Sequence, residues 1–310
     1  MFEVKAYPEY SWSLSRHKLL LECNRKYAYN YYTSHNGWLR EESELAKSAY
    51  RLKKITNAEM FFGNIVHELI EQVITEYLKS GTVPEEQVLT QHISRRMNQG
   101  FVDSKTKRQE WEAKPKHFTM LHEIYYYGAI PEVKIEEIKY RLSVSMKNFL
   151  QSQTFKDIQD KVRTKVFEFE QFRTMAFHGT KTFIVMDMVY RDFQRGKWII
   201  VDWKTGKSTD EDREQLALYA LYLKQKFNLE DFSEIEVRNE YLLGGTSVTY
   251  SLNEYDFLKV DHVFKLSNEK MFSFLEDAAK NQPVNLQEFE KTEHAWKCER
   301  CNYKELCEMY

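Results

Sequence analysis

FIVMDMVYRDFQRGKWIIVDWK, residues 183–204, holds two apolar, β-branched runs joined by a polar turn that contains Gly196. Period and composition predict a hairpin of two buried strands. Asp187 lies in the first run and Asp202 in the second, with Lys204 two positions after it. A carboxylate inside a buried strand is costly without a partner. Two of them on adjacent strands, beside a lysine, call for a compensating cation, and hard carboxylate oxygens suit Mg²⁺ or Mn²⁺. Lys204 is then placed to hold or activate a water that attacks a phosphodiester.

Further strands are predicted around this hairpin at residues 166–172, 235–243 and 247–252, the last two flanking the turn Gly244-Gly245. Helices are predicted at 13–32, where Leu14, Leu19, Leu20, Cys23 and Tyr27 keep a helical period, and at 58–79, where Phe62, Ile65, Val66, Leu69, Ile70 and Val73 form one face. Two more are predicted at 210–227 and 253–280. Residues 84–160 are polar and read as a helical insertion, with lysine-bearing loops at 105–108 and 114–116. Strands interrupted and flanked by helices give an α/β arrangement, a mixed central sheet with helices around it, expected as a single domain over 1–310 with a cysteine-bearing segment at 283–310.

The 310 residues suffice for a substantial core, and 20 Tyr, 20 Phe and 6 Trp against 10 Gly and 5 Pro exclude a disordered chain. A net charge of −2 argues neither for nor against a nucleic-acid partner. The first residues, MFEVKAYPEYSW, lack a basic stretch followed by an apolar one, and no apolar run approaches the ~20 residues of a membrane helix, so a cytoplasmic location and no membrane partner are expected. In that compartment four cysteines are read for metal before disulfides.

Gln215 and Tyr219 lie eleven and fifteen positions beyond Lys204, one turn apart in a helix that opens with Asp210, Glu211 and Asp212, so both can face the sheet edge. Gly63 and His67 share a face of the second helix in the same way, with Glu68 and Glu71 close behind. Glu168 and Glu170 alternate with Phe167, Phe169 and Phe172, which predicts a half-exposed strand with the glutamates in solvent. Cys298, Cys301 and Cys307 form a C-x2-C-x5-C cluster, and Cys23 lies far upstream. Such clustering calls for a metal, and by spacing alone four thiolates would also suit zinc.

These motifs together resemble the PD-(D/E)XK restriction-endonuclease-like core, and more narrowly its RecB-like branch. The strand Asp followed by D-x-K and T-G stands here as Asp187 and Asp202-Trp203-Lys204-Thr205-Gly206. The Q-x-x-x-Y motif is Gln215 to Tyr219, and G-x-x-x-H is Gly63 to His67. Ser11-Trp-Ser13-Leu and Cys23-Asn-Arg-Lys-Tyr27 are similar to the start of that branch, with Asn24 where a proline is usual and Val185 where a glycine is frequent. The resemblance covers residues 11–32, 63–71, 168–219 and 298–307. It implies Asp187, Asp202, His67 and the Trp203 backbone carbonyl as ligands of Mg²⁺ or Mn²⁺, Lys204 as the catalytic lysine, and Gln215 and Tyr219 as orienting groups. It also implies a 4Fe-4S cluster on Cys23, Cys298, Cys301 and Cys307, clasping the N- and C-terminal segments as in AddB-type nuclease domains, CRISPR-associated adaptation exonucleases and single-strand iron–sulfur exonucleases. The function implied is a metal-dependent deoxyribonuclease, an exonuclease on single-stranded DNA in repair, recombination or phage- and CRISPR-related defence, with a helicase or another protein of those pathways as partner. A non-catalytic nucleic-acid-binding scaffold and a hydrolase with a different substrate are the competing readings.

Overall fold

Residues 183–204 form the predicted hairpin in the computed structural model, which describes residues 4–209 and 211–309. The sheet runs in the order β1 (Thr164–Phe177), β2 (Thr180–Asp192), β3 (Lys197–Lys204), β4 (Ile235–Tyr241), β5 (Thr246–Tyr250). Neighbours are antiparallel except β3 and β4, which run parallel. A parallel step needs a crossover, and the helix Glu211–Phe227 supplies it. This is the mixed sheet flanked by helices that the sequence predicts.

One strand departs from its expected phase. The β1–β2 register shifts between Val166 and Glu168, leaving Phe167 as the extra residue of a β-bulge. A slip of one residue exchanges the two faces of a strand. Glu168, expected in solvent, is buried and ion-paired with Arg173 at 3.5 Å and with Lys226; Phe167 and Phe172 are exposed, and Phe169 stays packed against the core.

The helices are α1 (Leu14–Glu22), α2 (Asn24–Ala28), α3 (Glu44–Leu52), α4 (Ala58–Ser80), α5 (Glu86–Thr106), α6 (Arg108–Ala113), α7 (His122–Tyr127), α8 (Glu132–Gln151), α9 (Gln153–Gln159), α10 (Glu211–Phe227), α11 (Glu254–Phe272), α12 (Ala295–Glu299) and α13 (Lys304–Met309). One sheet face packs Ile184, Met186, Val189 and Ile200 against Leu216, Ala220 and Leu223 of α10 and Val260 and Phe264 of α11. The other packs Met188, Tyr190, Ile199, Val201 and Trp203 against α4, α5, α8 and α9. Phe62, Ile65, Val66, Ile70 and Ile74 of α4 are all buried there, each contributing about 1.5–3 kcal/mol. Met146, Phe149 and Phe155, from within 84–160, belong to this same core.

Two predicted helices end differently, and one helix is new. The helix expected over 13–32 breaks at Cys23, whose backbone is extended, because the Arg25 guanidinium turns inward to Phe289 O at 2.8 Å and Gln287 O at 3.3 Å. It continues as α2 and a π-helical turn, Tyr29–Thr33. The helix expected to reach residue 280 ends at Phe272, and Leu275–Asp277 pairs with Gln282–Pro283 around Asn281, which takes a left-handed φ of 53° and hydrogen-bonds Pro8 O. Helix α3 has no counterpart in the sequence reading. Ser43 caps it by accepting from Ala46 N at 3.2 Å, and Ala46, Ala49, Tyr50 and Leu52 are buried.

Candidate active site and cysteine pocket

The β2–β3 ladder ends at the pair Met188–Val201. Asp187 and Asp202 come next, so the two carboxylates face each other where the strands part. The Trp203 N–H, freed from the ladder by this splay, donates to Asp187 Oδ2 at 2.6 Å. The other oxygen, Oδ1, lies 3.2 Å from His67 Nδ1, which α4 brings over the same point. Gly63, one turn before His67, lets the strand-end turn approach: a Cβ there would sit 3.2 Å from Thr205 Oγ1.

Lys204 lies 2.7 Å from Asp202 Oδ2 and 3.6 Å from Asp212 Oδ1, and its ammonium donates to Gln215 Oε1 at 3.2 Å. Gln215 Nε2 donates to Asp202 Oδ1 at 3.3 Å and to the Tyr219 hydroxyl. One amide thus locks the lysine, the carboxylate and the tyrosine in mutual register. Burial, then the charge of Asp187, pushes Asp202 up to about 6. Burial works against the charged form of Lys204, but Asp202 outweighs it and holds the amine above its ordinary range. Burial and Asp202 also keep Tyr219 neutral, well above the usual phenol range.

Asp202 Oδ2 is buried without an aligned hydrogen bond, since the lysine approaches it as an ion pair only. A desolvated carboxylate oxygen with that vacancy in its hydrogen bonding, beside a second carboxylate and an imidazole, is a donor set that fits Mg²⁺ or Mn²⁺. Among the described residues, however, no three His, Cys, Asp or Glu side chains already surround one ion position. His67 and Asp187 are bonded to each other, and Asp202 is bonded to Lys204 and Gln215.

Around this centre runs a groove of about 930 Å³, lined by Arg16, Lys53, Arg141 and Lys207 as well as by the residues above. Sequence reading missed these cations, and it read Asp212 only as first-turn charge. Arg16 and Lys53 meet over the ring of Tyr31, at 4.1 and 5.3 Å from its centre, and no local pattern links positions so far apart. Asp212 is fixed by Thr209 and by the Tyr241 hydroxyl at 2.9 Å. Glu68 pairs with Arg96 at 3.0 Å, and Glu71 is absent from the groove lining. Asp210 and the side chains of Glu170 and Glu211 lie outside the described residues.

The four cysteines line one cavity of about 230 Å³, with Lys26, Lys291, Lys297 and Lys304 at its edge. The pocket brings the four cysteines to one place, although among the described residues no three of them already surround a single ion position. Burial pushes the Cys301 thiol up to about 12, so a thiolate there needs cationic compensation. Sulfur donors, room and a lysine rim suit an anionic metal–thiolate group.

A mixed sheet whose splayed hairpin presents two carboxylates and a lysine to an open, cation-lined groove is the frame of a nuclease. The chain belongs to the PD-(D/E)XK nuclease superfamily, whose family model matches residues 11–308. Members of this superfamily cleave nucleic acids and generally use divalent metal ions. No curated protein matches the chain. No helix among the described residues is long and apolar enough to cross a membrane.

Proposed function

We propose that this chain is a Mg²⁺- or Mn²⁺-dependent deoxyribonuclease that degrades single-stranded DNA as an exonuclease. The observation that carries the reading is the meeting of Asp187 and Asp202 at the end of the ladder, with Lys204 2.7 Å from Asp202, inside an open groove. His67, Asp187, Asp202 and the Trp203 carbonyl would hold the metal, which when bound supplies Lewis-acid polarisation of the phosphate and a more acidic water. Lys204 stabilises negative charge that builds on the phosphate. Gln215 and Tyr219 keep Lys204 and Asp202 in one geometry, and the Trp203 N–H fixes the rotamer of Asp187. End-labelled single- and double-stranded DNA, incubated with Mn²⁺ or with EDTA, tests the reading: products stepping in from one end of the single strand, only with Mn²⁺, are expected. An inert wild-type protein under both conditions would favour the scaffold reading.

Preference for a single strand rests on Phe172, 81 % exposed and lining the groove beside Phe183 and Met60. An exposed phenylalanine ring gives an unpaired base a stacking platform worth about 1–3 kcal/mol. Phe172→Ala is accordingly expected to weaken single-strand binding about tenfold, measured by fluorescence anisotropy in EDTA, with a duplex changed far less. An equal loss for both would remove the argument for strand preference.

For the cysteine pocket we propose a 4Fe-4S cluster on Cys23, Cys298, Cys301 and Cys307, supported by the meeting of all four cysteines in one pocket and by its lysine rim. The same layout, similar to that of the iron–sulfur nucleases named above, supports a place in repair, recombination or defence beside a helicase or another protein of those pathways. Anaerobically purified protein is expected to absorb broadly in the visible and to carry about four irons per chain. Cys301→Ser is expected to lose both. Stoichiometric zinc without colour would replace the cluster by a single ion.

A further inference from the structure

The net charge of −2 leaves room for local cationic patches. Beside the groove lies a second pocket, of about 450 Å³, lined by Arg40, Lys47, Arg51, Lys114 and Lys116 against a single carboxylate, Glu112. Glu112 is already bonded to Arg108 at 3.1 Å. Among the described residues Arg40, Arg51, Lys114 and Lys116 make no ion pair with a carboxylate. Lys54 adds a sixth cation, its ammonium 5.4 Å from the centre of the Tyr50 ring and close enough to Lys116 for mutual repulsion. Like charges gathered without partners destabilise the protein alone, and a polyanion relieves that cost.

An aromatic platform sits among these cations. Trp38 is 48 % exposed and rests edge-on against the buried Tyr50, ring centres 5.7 Å apart. Its loop is pressed onto α3 at Gly37, where any Cβ would collide with Ala46 O and the Tyr50 side chain. Trp38 is therefore held out by a fixed backbone. The end of α3 links the two: Lys53 lines the groove, and Lys54, the next residue, lies over the ring of Tyr50, which lines the second pocket. Cations flanking an exposed indole are the two elements by which single strands are bound, phosphates to the charges and bases to the ring.

We propose that the Trp38 pocket is a second nucleic-acid contact, so that a single strand held in the groove continues past the end of α3 with a base on Trp38 and phosphates on Arg40, Arg51, Lys114 and Lys116. This rests on the nuclease reading for the direction in which the strand runs, and its test is read without cleavage.

Fluorescein-labelled oligo(dT) of about 5 and about 20 nucleotides, titrated in EDTA, separates a strand confined to the groove from one that reaches both pockets. Lys114→Glu combined with Lys116→Glu is expected to weaken the long strand at least about tenfold and the short one less than about twofold, and to lower the salt slope by about 1.4. Trp38→Ala is expected to weaken the long strand selectively too, and Trp38→Phe to recover most of the loss, which separates stacking from misfolding. Unchanged long-strand affinity in the lysine variant, or equal losses for both lengths, overturns the proposal. A pocket built for an acidic protein segment gives the first of those results. Absence of Mn²⁺-dependent cleavage by the wild type would count against the nuclease reading alone, leaving the binding comparison valid.

Discussion

Asp202→Asn is expected to abolish cleavage while making the metal-free chain more stable above neutral pH. The carboxylate lies 4 % exposed, and burial together with Asp187 pushes it up to about 6. An Asp in the unfolded chain titrates near ~3.9. The native state therefore holds this proton more tightly than the unfolded one. Its contribution to stability is complete below about pH 4 and is lost as pH rises through about 6. Asparagine keeps the shape without the charge, so at pH 8 the variant should gain on the order of 1–3 kcal/mol in urea unfolding with EDTA, a net effect that already contains the attraction of Lys204. At pH 4 the two proteins should be close. Loss of the anionic ligand proposed for the metal should lower the cleavage rate on the order of 10³-fold or more. Mn²⁺ should raise the melting temperature of the wild type and leave the variant unmoved. A variant that is less stable at pH 8, or that still gains stability from Mn²⁺, would contradict this account of Asp202.

The second large effect is expected at Lys204. Its ammonium is held by Asp202, Asp212 and Gln215, so it is preorganised before any substrate arrives. Preorganised charge aimed at a developing anion is worth about 10²–10³ in rate. Lys204→Ala should cost that much in single-turnover cleavage while strand affinity in EDTA changes little, because the groove keeps Arg16, Lys53, Arg141 and Lys207. Lys204→Arg should recover only part of the rate, since the planar guanidinium cannot reproduce the three contacts of the ammonium. Wild-type rates in the alanine variant would remove Lys204 from the chemistry.

Much of the sheet was legible because hairpin strands write their burial into the sequence locally. Asp187 and Asp202 stand out for the same reason: each interrupts an apolar run, and the turn between them fixes their approach. Gly63, His67, Gln215 and Tyr219 were readable from four-residue spacings, which a helix converts directly into a shared face. What failed had distant causes. The bulge at Phe167 interrupts the alternation of β1, so that Glu168 is buried although Phe169 keeps its place against the core, and nothing within FEFEQF announces it. Arg25 breaks the first helix because its partners lie more than 260 positions away. Helix α3 did carry a signal, with Leu45, Ala46, Ala49, Tyr50 and Leu52 at helical spacing, set among charges that mask it. The groove's cations come from α1, the residue after α3, α8 and the loop after β3, and converge only when the chain has folded.

One wall of the groove depends on residues far along the chain. Helix α1, which carries Arg16, is anchored by the Trp12 indole to Ser267 at 2.9 Å and, just beyond its end, by Arg25 to Phe289. Some 255 residues separate Trp12 from its partner. At about 5–20 residues per second a ribosome needs on the order of ten to fifty seconds to make them. A nascent or interrupted polypeptide therefore carries its acidic pair without a finished groove, and synthesis itself delays the moment at which a nuclease of this fold becomes hazardous to the cell's own nucleic acids.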